Sequence, residues 1–346
     1  MTEEKQKSIK DFFLSFSIML CGVGLLFIGS VSFVPTSTIT SNTVATFPQS
    51  APRQNLLVGG DVTPTVLPVS HPLVPLAKLD KKEFEQPLTA AAALVVDNHT
   101  DTELFSQNAD VARPLASITK LMSMLVILER RLDWNAKTTI TADEIEGSHI
   151  VEADEVYTAE ELWNLALVGS ANGAVNALVR LSSYTRSEFV ARMNTKAKIW
   201  RLDSMNFVEP TGLDSGNVGN TRDVARLLKF ALREDKIYRT LQIPEYYARP
   251  EGAAKARRVW STDWLLTGWV QNKFDTEQMA GKTGYITDSN YNFTVKLGDA
   301  EGRAVRVVIL GATNHEARFT EARDLAVWAF ANFLWPEDSG YGELVE

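Results

Sequence analysis

The chain has a single cysteine, Cys21, in 346 residues. That excludes an internal disulfide and a cysteine-based zinc centre, and it leaves no cysteine nucleophile downstream of residue 21. Histidine is scarce too: His71, His99, His149 and His315 lie far apart and form no H-x-x-x-H pair, so neither a metal nor another cofactor is expected. Positive charge is in deficit, with 35 Lys and Arg against 43 Asp and Glu and a formal net charge of −8. Nucleic-acid binding rests on clustered cations that neutralise phosphates, and a chain this acidic gives no ground for it. What is present is ordinary for a globular protein: 45% hydrophobic and 23% charged residues supply apolar material for one large domain or two small ones.

Charge is missing altogether from Phe12 to Val34. As a helix rising about 1.5 Å per residue, this run reaches roughly the thickness of a bilayer core. It is longer than the apolar part of a signal peptide, and Pro35 follows without a small-residue cleavage pattern, so residues 12–34 read as a membrane anchor. Lys5, Lys7 and Lys10 precede the run and the next positive charge after it is Arg53. The positive-inside bias therefore sets residues 1–11 in the cytoplasm and the rest outside. Residues 35–82 hold seven of the 13 prolines, many Ser and Thr, and neither helical nor strand period, the makeup of an extended tether. Residues 83–346 form the expected folded domain.

Periodic structure begins near Leu88. AAALVVD reads as a strand, Asp97 to Thr102 as a polar turn and ELFS as its partner. After Pro114, SITKLMSMLVILERR is apolar almost all round, which predicts a buried helix starting near Ser117. Thr158 and Glu161 make a capping-box pattern before LWNLALV, and Val224, Leu227, Leu228, Ala231 and Leu232 follow Thr221 at helical spacing. YNFTVKL and RAVRVVILGA flank the turn residues Gly298 to Gly302 as a second hairpin, and Ala322, Leu325, Ala326, Ala329, Phe330 and Phe333 mark one face of a closing helix. Strands from both ends of the sequence with helices between them give an α/β (α+β) domain.

Three short motifs carry chemistry. Ser117 and Lys120 stand three apart at the start of a helix, a spacing that puts both on one face. A serine hydroxyl needs a base beside it, and a lysine serves if burial and a nearby cation hold it neutral. Ser170-Ala171-Asn172 follows at a helix–helix junction, where alone it reads as a helix cap. Lys282-Thr283-Gly284 precedes the second hairpin, where alone it reads as a strand end turning at glycine. S-x-x-K, S-x-N and K-T-G in this order are the signature of penicillin-binding proteins and class A β-lactamases.

The sequence around each motif resembles the low-molecular-mass serine-type D-alanyl-D-alanine carboxypeptidases, penicillin-binding proteins of peptidase family S11. RPLASITKLMSML resembles their nucleophile segment, and VYTAEELWNLALVGSANGAVNALV their second-motif helix pair. FVEPTGLDSGNVGNTRDVARLLKFAL, AGKTGYITDSNYNFTV and VVILGATNHEARFTEARDLAVWAFANF match later blocks, so the likeness covers roughly Ala90 to Leu334.

The resemblance implies an antiparallel sheet flanked by helices plus an all-helical subdomain. It also implies peptidoglycan stem peptides as substrate and β-lactam antibiotics as covalent inhibitors, in a protein held at the cytoplasmic membrane with its catalytic domain outside. Ser117 would attack the carbonyl between two D-alanines, with Lys120 as base. Ser170 would relay a proton to the leaving amine, and Asn172 would align Lys120 and the substrate amide. Lys282 and Thr283, the latter followed by Gly284, would bind the terminal carboxylate, with Lys282 also helping to keep Lys120 neutral. The backbone N–H groups of Ser117 and Tyr285 would form the oxyanion hole. Arg318 matches a family arginine near the carboxylate, or else is a helix-start arginine in a surface ion pair.

The chain departs from the family pattern at Glu209, where the family has Asn, and at Ser261-Thr262-Asp263, where it has N-T-N. A D,D-endopeptidase of the same fold is the nearest alternative activity. A β-lactamase is a further one, and it would need a carboxylate such as Glu209 to activate water. Trp260, Trp264 and Trp269 could line a sugar-binding rim, but buried packing is the commoner use of tryptophan.

Overall fold

The computed structural model describes residues 73–147 and 150–345. The N-terminus, the apolar run 12–34 and most of the tether lie outside the described residues, as do Cys21, His71 and His149. Among the described residues no helix is long and apolar enough to cross a membrane.

The domain is built on a five-stranded antiparallel sheet of β1 (Ala92–Asp97), β2 (Glu103–Gln107), β3 (Asp275–Ile286), β4 (Asn290–Gly298) and β5 (Ala304–Ala312). The strands run in the order β3-β4-β5-β1-β2, so the two expected hairpins meet where β5 pairs with β1. β1 is buried at all six positions, as a strand covered on both faces must be. Its alternating side chains divide the run between two cores. Ala92, Leu94 and Val96 join a cluster made mainly of helices, and Ala93 and Val95 join a second cluster under the closing helix.

The helical side holds α1 (Thr119–Ile127), α2 (Ala159–Val168), α3 (Asn172–Leu181), α4 (Arg186–Ile199), α5 (Thr221–Leu232) and α6 (Asp235–Leu241). α1 is buried along its whole length, which accounts for its all-round apolar sequence. The Thr158 and Glu161 capping box is formed, with Glu161 N donating to Thr158 Oγ1 at 3.1 Å and Thr158 N donating to Glu161 Oε2 at 2.9 Å. The opposite face of the sheet is covered by α7 (Ala317–Asn332), whose Phe319, Ala322, Leu325, Ala326 and Ala329 enter the second core.

The end of the segment read as tether lies along the domain. Leu76 and Ala77 pair with Leu334 and Phe333, Lys82 N donates to Asn332 Oδ1 at 2.7 Å, and Trp328 Nε1 donates to the Lys82 carbonyl at 2.8 Å. No period marks these residues in the sequence because the partners that satisfy their backbone come from the other end of the chain.

Candidate active site

Ser117 sits in a 3-10 turn, Ala116–Ile118, that leads directly into α1. Ala116 has φ +50°, a left-handed conformation that a β-carbon disfavours, so the surroundings must impose it. They do so from two sides. On one, Asn292 of β4 donates from Nδ2 to the carbonyls of Pro114 at 2.9 Å and Leu115 at 3.2 Å. On the other, Gly212 at φ +92° passes so close that a β-carbon there would lie 2.0 Å from the Ala116 carbonyl oxygen.

Lys120 lies one helical turn on and is fully buried. Its Nζ donates to Ser117 Oγ at 2.9 Å, to Asn172 Oδ1 at 2.6 Å and to the Thr211 carbonyl at 2.6 Å. Burial pushes the ammonium down to about 7, against the attraction of Glu209. Asn172 is held in turn by Nδ2 donating to the Glu146 carbonyl at 2.9 Å.

Glu209 holds the loop that supplies the Thr211 carbonyl. Its carboxylate accepts from Thr211 N and Thr211 Oγ1, each at 2.6 Å, from Asn217 Nδ2 at 2.7 Å and from Gly212 N, with the Arg186 guanidinium 3.8 Å away. Both oxygens are engaged by the loop, so this carboxylate shapes the loop and is not directed at water near Ser117. That arrangement weighs against the β-lactamase alternative.

Ser170 lies between α2 and α3 at φ +62°. It does not cap α3, whose cap position is Ala171 and makes no side-chain bond. Instead Ser170 Oγ accepts from Lys282 Nζ at 2.9 Å. Lys282 is buried, and burial lowers it well below an ordinary lysine, with the charges of Lys120 and Arg318 adding to the effect. Repulsion between the two lysines opposes their being charged together, but at Lys120 itself burial is the leading cause. The expected lowering by Lys282 is not among the causes there, where only Glu209 acts besides burial.

Lys282-Thr283-Gly284 stands inside β3, opposite Thr294, Phe293 and Asn292 of β4, so Gly284 is not a turn. β3 is an edge strand, and a free strand edge offers unpaired backbone groups. Thr283 Oγ1 bonds Thr262 Oγ1 at 2.7 Å. Arg318 is buried and among the described residues makes no ion pair. Nη1 donates to the carbonyls of Gly284 at 3.2 Å and Asn292 at 3.4 Å, and Nη2 lies 2.7 Å from His315 Nε2. The surface-ion-pair reading of Arg318 is therefore replaced by a place under β3, where burial lowers the guanidinium to about 10. Asp263 is also buried, and that burial raises it to about 6.

Ser117, Ser170, Thr283, Gly284, Tyr285 and Arg318 line one cavity of about 520 Å³; behind it Lys120 and Lys282 are buried and donate to Ser117 and Ser170, and buried Asn172 accepts from Lys120. All nine residues singled out in the sequence thus gather at one place. Thr211, Asn292 and His315 carried no site role in the sequence reading, and Thr262 stood there only within the departure at Ser261-Thr262-Asp263, since each acts through a carbonyl or a tertiary contact. Trp260 and Trp269 depart from the expectation of buried packing, being 39% and 52% exposed on the wall of the same cavity.

A serine bonded to a buried lysine whose ammonium is brought down to about 7, beside a second serine–lysine pair on a sheet edge, defines a serine hydrolase site on a D,D-peptidase fold. The family model for peptidase S11, D-alanyl-D-alanine carboxypeptidase, matches residues 80–314, and the chain belongs to that family. It is 28% identical over 250 residues to a D-alanyl-D-alanine endopeptidase of Pseudomonas aeruginosa, covering 71% of this chain and 78% of that one. It is 29% identical over 266 residues to the D-alanyl-D-alanine carboxypeptidase DacF of Bacillus subtilis, covering 74% and 66%. Among solved structures it resembles penicillin-binding protein D2 of Listeria monocytogenes in its cefotaxime-bound form, with TM-score 0.61, 27% identity and coverage of 72% and 100%. A mutant of the Streptomyces K15 DD-transpeptidase shares the fold, with TM-score 0.64, 22% identity and coverage of 71% and 100%.

Proposed function

We propose that this protein removes the terminal D-alanine from peptidoglycan pentapeptides through an acyl-enzyme on Ser117. The observation that carries the reading is the 2.9 Å bond between Lys120 Nζ and Ser117 Oγ, made by an amine that burial brings to about 7. Neutral Lys120 takes the Ser117 proton as Oγ attacks the penultimate carbonyl. The N–H groups of Ser117 and Tyr285 receive the oxyanion. Ser170 relays the proton taken up by Lys120 to the departing D-alanine amine as the C–N bond breaks, which leaves Lys120 neutral again, and Asn172 keeps Lys120 in line. Thr283, Lys282 and Arg318 receive the substrate carboxylate, whose negative charge favours a protonated Lys282. Water then attacks the ester, giving its proton to Lys120, which returns it to Ser117 Oγ as the ester bond breaks and the shortened peptide leaves.

β-Lactams are covalent inhibitors in this reading, stopping at the acyl-enzyme on Ser117. The apolar run 12–34 anchors the protein in the bacterial cytoplasmic membrane, residues 35–82 hold the domain away from it, and the site works on the outer side. Incubation of defined pentapeptide with the protein, followed by mass spectrometry, tests the activity: a product lighter by one D-alanine is expected, and an unchanged peptide overturns it. A D,D-endopeptidase activity at the same site is the second reading, favoured by the likeness to the Pseudomonas enzyme and by the breadth of the cavity.

A further inference from the structure

Two consecutive loop residues bracket Lys282 on β3. On one side of it Thr262 Oγ1 bonds Thr283 Oγ1 at 2.7 Å, and on the other the Asp263 carboxylate lies against Gly281, where a β-carbon would stand 2.9 Å from Oδ2. Asp263 is 1% exposed. Its Oδ1 accepts from Leu265 N at 2.9 Å and Leu266 N at 3.2 Å, which closes the turn 263–266. Its Oδ2 has no protein hydrogen-bond partner, and among the described residues it is the only buried carboxylate oxygen in that position. The turn does not need the charge. An asparagine would accept the same two bonds through its own Oδ1, and asparagine is what the family pattern has at this place.

A buried carboxylate with one oxygen unpaired is costly unless cations nearby offset it. Two are at hand. Lys282 on β3 and Arg318 on α7 both favour the ionised Asp263, against the burial that raises it to about 6. The effect is mutual, because charges in a dry interior act on each other beyond contact distance. Burial, Lys120 and Arg318 all oppose a charged Lys282, and Asp263 alone favours it. Arg318 is favoured as a cation by Tyr291 of β4 and by Asp263. His315, bonded to Arg318, adds no charge near neutral pH, since burial brings it down to about 4. The other carboxylate of the site, Glu209, acts on Lys120.

We infer that Asp263 is a positioning residue for substrate selection: its carboxylate, set against Gly281, keeps Lys282 and Arg318 in the charged form that receives a substrate carboxylate, and so sets the preference for a free acid over a neutral end. The inference rests on the proposed carboxylate seat at Thr283, Lys282 and Arg318. Asp263 does not line the cavity and acts only through the two cations. Its place in the sequence makes this a property of the present chain, since an amide there would hold the turn and leave Lys282 with no countercharge.

The test is the ratio of kcat/KM for a pentapeptide acid to that for its terminal amide, followed across pH in the full-length protein. Ser117 and Lys120 serve both substrates, so their titration cancels in the ratio. In Asp263→Asn the ratio at about pH 8 is expected to fall about fivefold or more, because Lys282 then gives up its proton at lower pH. At about pH 5 Asp263 is itself protonated, and the wild type and the variant should agree within about threefold. Damage to the fold would instead lower turnover of both substrates together at every pH. Labelling of Ser117 by a fluorescent penicillin reports that the site is intact, and Asp263→Ser carries the comparison if Asp263→Asn loses its label. A ratio unchanged at about pH 8 in a labelled variant, or one that rises because the carboxylate had been repelling that of the substrate, overturns the inference. A labelled wild type that turns over acid and amide alike at every pH overturns the carboxylate seat on which the inference rests.

Discussion

A β-carbon placed on Gly284 would stand 2.6 Å from the carbonyl oxygen of Leu115 and 3.1 Å from Ser117 N. The neighbour that would have to yield is main chain, and it is the main chain of the nucleophile turn. Gly284→Ala should therefore cost about 1–3 kcal/mol of stability, as overpacking does. It should slow β-lactam acylation of Ser117 by at least about tenfold, since roughly 1.4 kcal/mol of misplacement suffices. Denaturant melts and acylation rates measure the two effects, and an alanine variant matching the wild type in both would show that β3 and the turn are less closely coupled.

Labelling should locate the nucleophile. A β-lactam should add its mass to the wild-type protein at Ser117, and Ser117→Ala should take none. Label retained in that variant and mapped to another residue removes Ser117 from the proposed mechanism.

The pH profile follows from Lys120. As a base it must be neutral, and burial sets its loss of a proton at about 7, where an ordinary lysine would lose it near 10.5. kcat/KM should thus climb as pH rises through about 7 and level off above it, because kcat/KM reports groups of the free enzyme. Glu209 attracts the ammonium and opposes that lowering. Glu209→Gln should consequently move the limb to lower pH, and should also lose stability by about 1–3 kcal/mol as loop donors lose their acceptor. A limb that stays in place, or moves upward, would separate Glu209 from the base.

Carboxylate recognition is testable with one change to the substrate. Amidating the terminal D-alanine removes the charge that the proposed mechanism seats at Thr283, Lys282 and Arg318, and should lower kcat/KM by about tenfold or more, the equivalent of roughly 1.5 kcal/mol for a hydrogen bond to a charged group. Arg318→Ala should narrow the gap between acid and amide. If the gap persists in that variant, Arg318 serves only to brace β3 through the Gly284 and Asn292 carbonyls.

What could be read from the sequence depended on the range of the interaction. Ser117 and Lys120 were legible as a pair because helical spacing alone brings them together, and Thr158 with Glu161 because a capping box is complete within four residues. The two hairpins were legible because alternation and turn residues are local. The left-handed turns at Ala116 and Ser170 carry no local mark, since neither residue favours that conformation and both are held there by distant groups. The Thr211 carbonyl has no side-chain identity to betray it. Arg318 could be placed near the last helix but not beneath β3, and Trp260 and Trp269 could not be assigned to a wall instead of a core, because exposure is decided by what the fold leaves uncovered.

The commitment of Glu209 to its loop bears on how drug resistance could arise in such a protein. Destroying an antibiotic requires a group that drives water onto the stalled ester, and the carboxylate best placed by sequence is already bonded through both oxygens to Thr211, Gly212 and Asn217. Freeing it would loosen the loop whose carbonyl holds Lys120 at Ser117. A mutation that began to clear the drug by that route would weaken the step by which the natural substrate is attacked. An inherited change toward resistance would therefore have to begin elsewhere in the cavity.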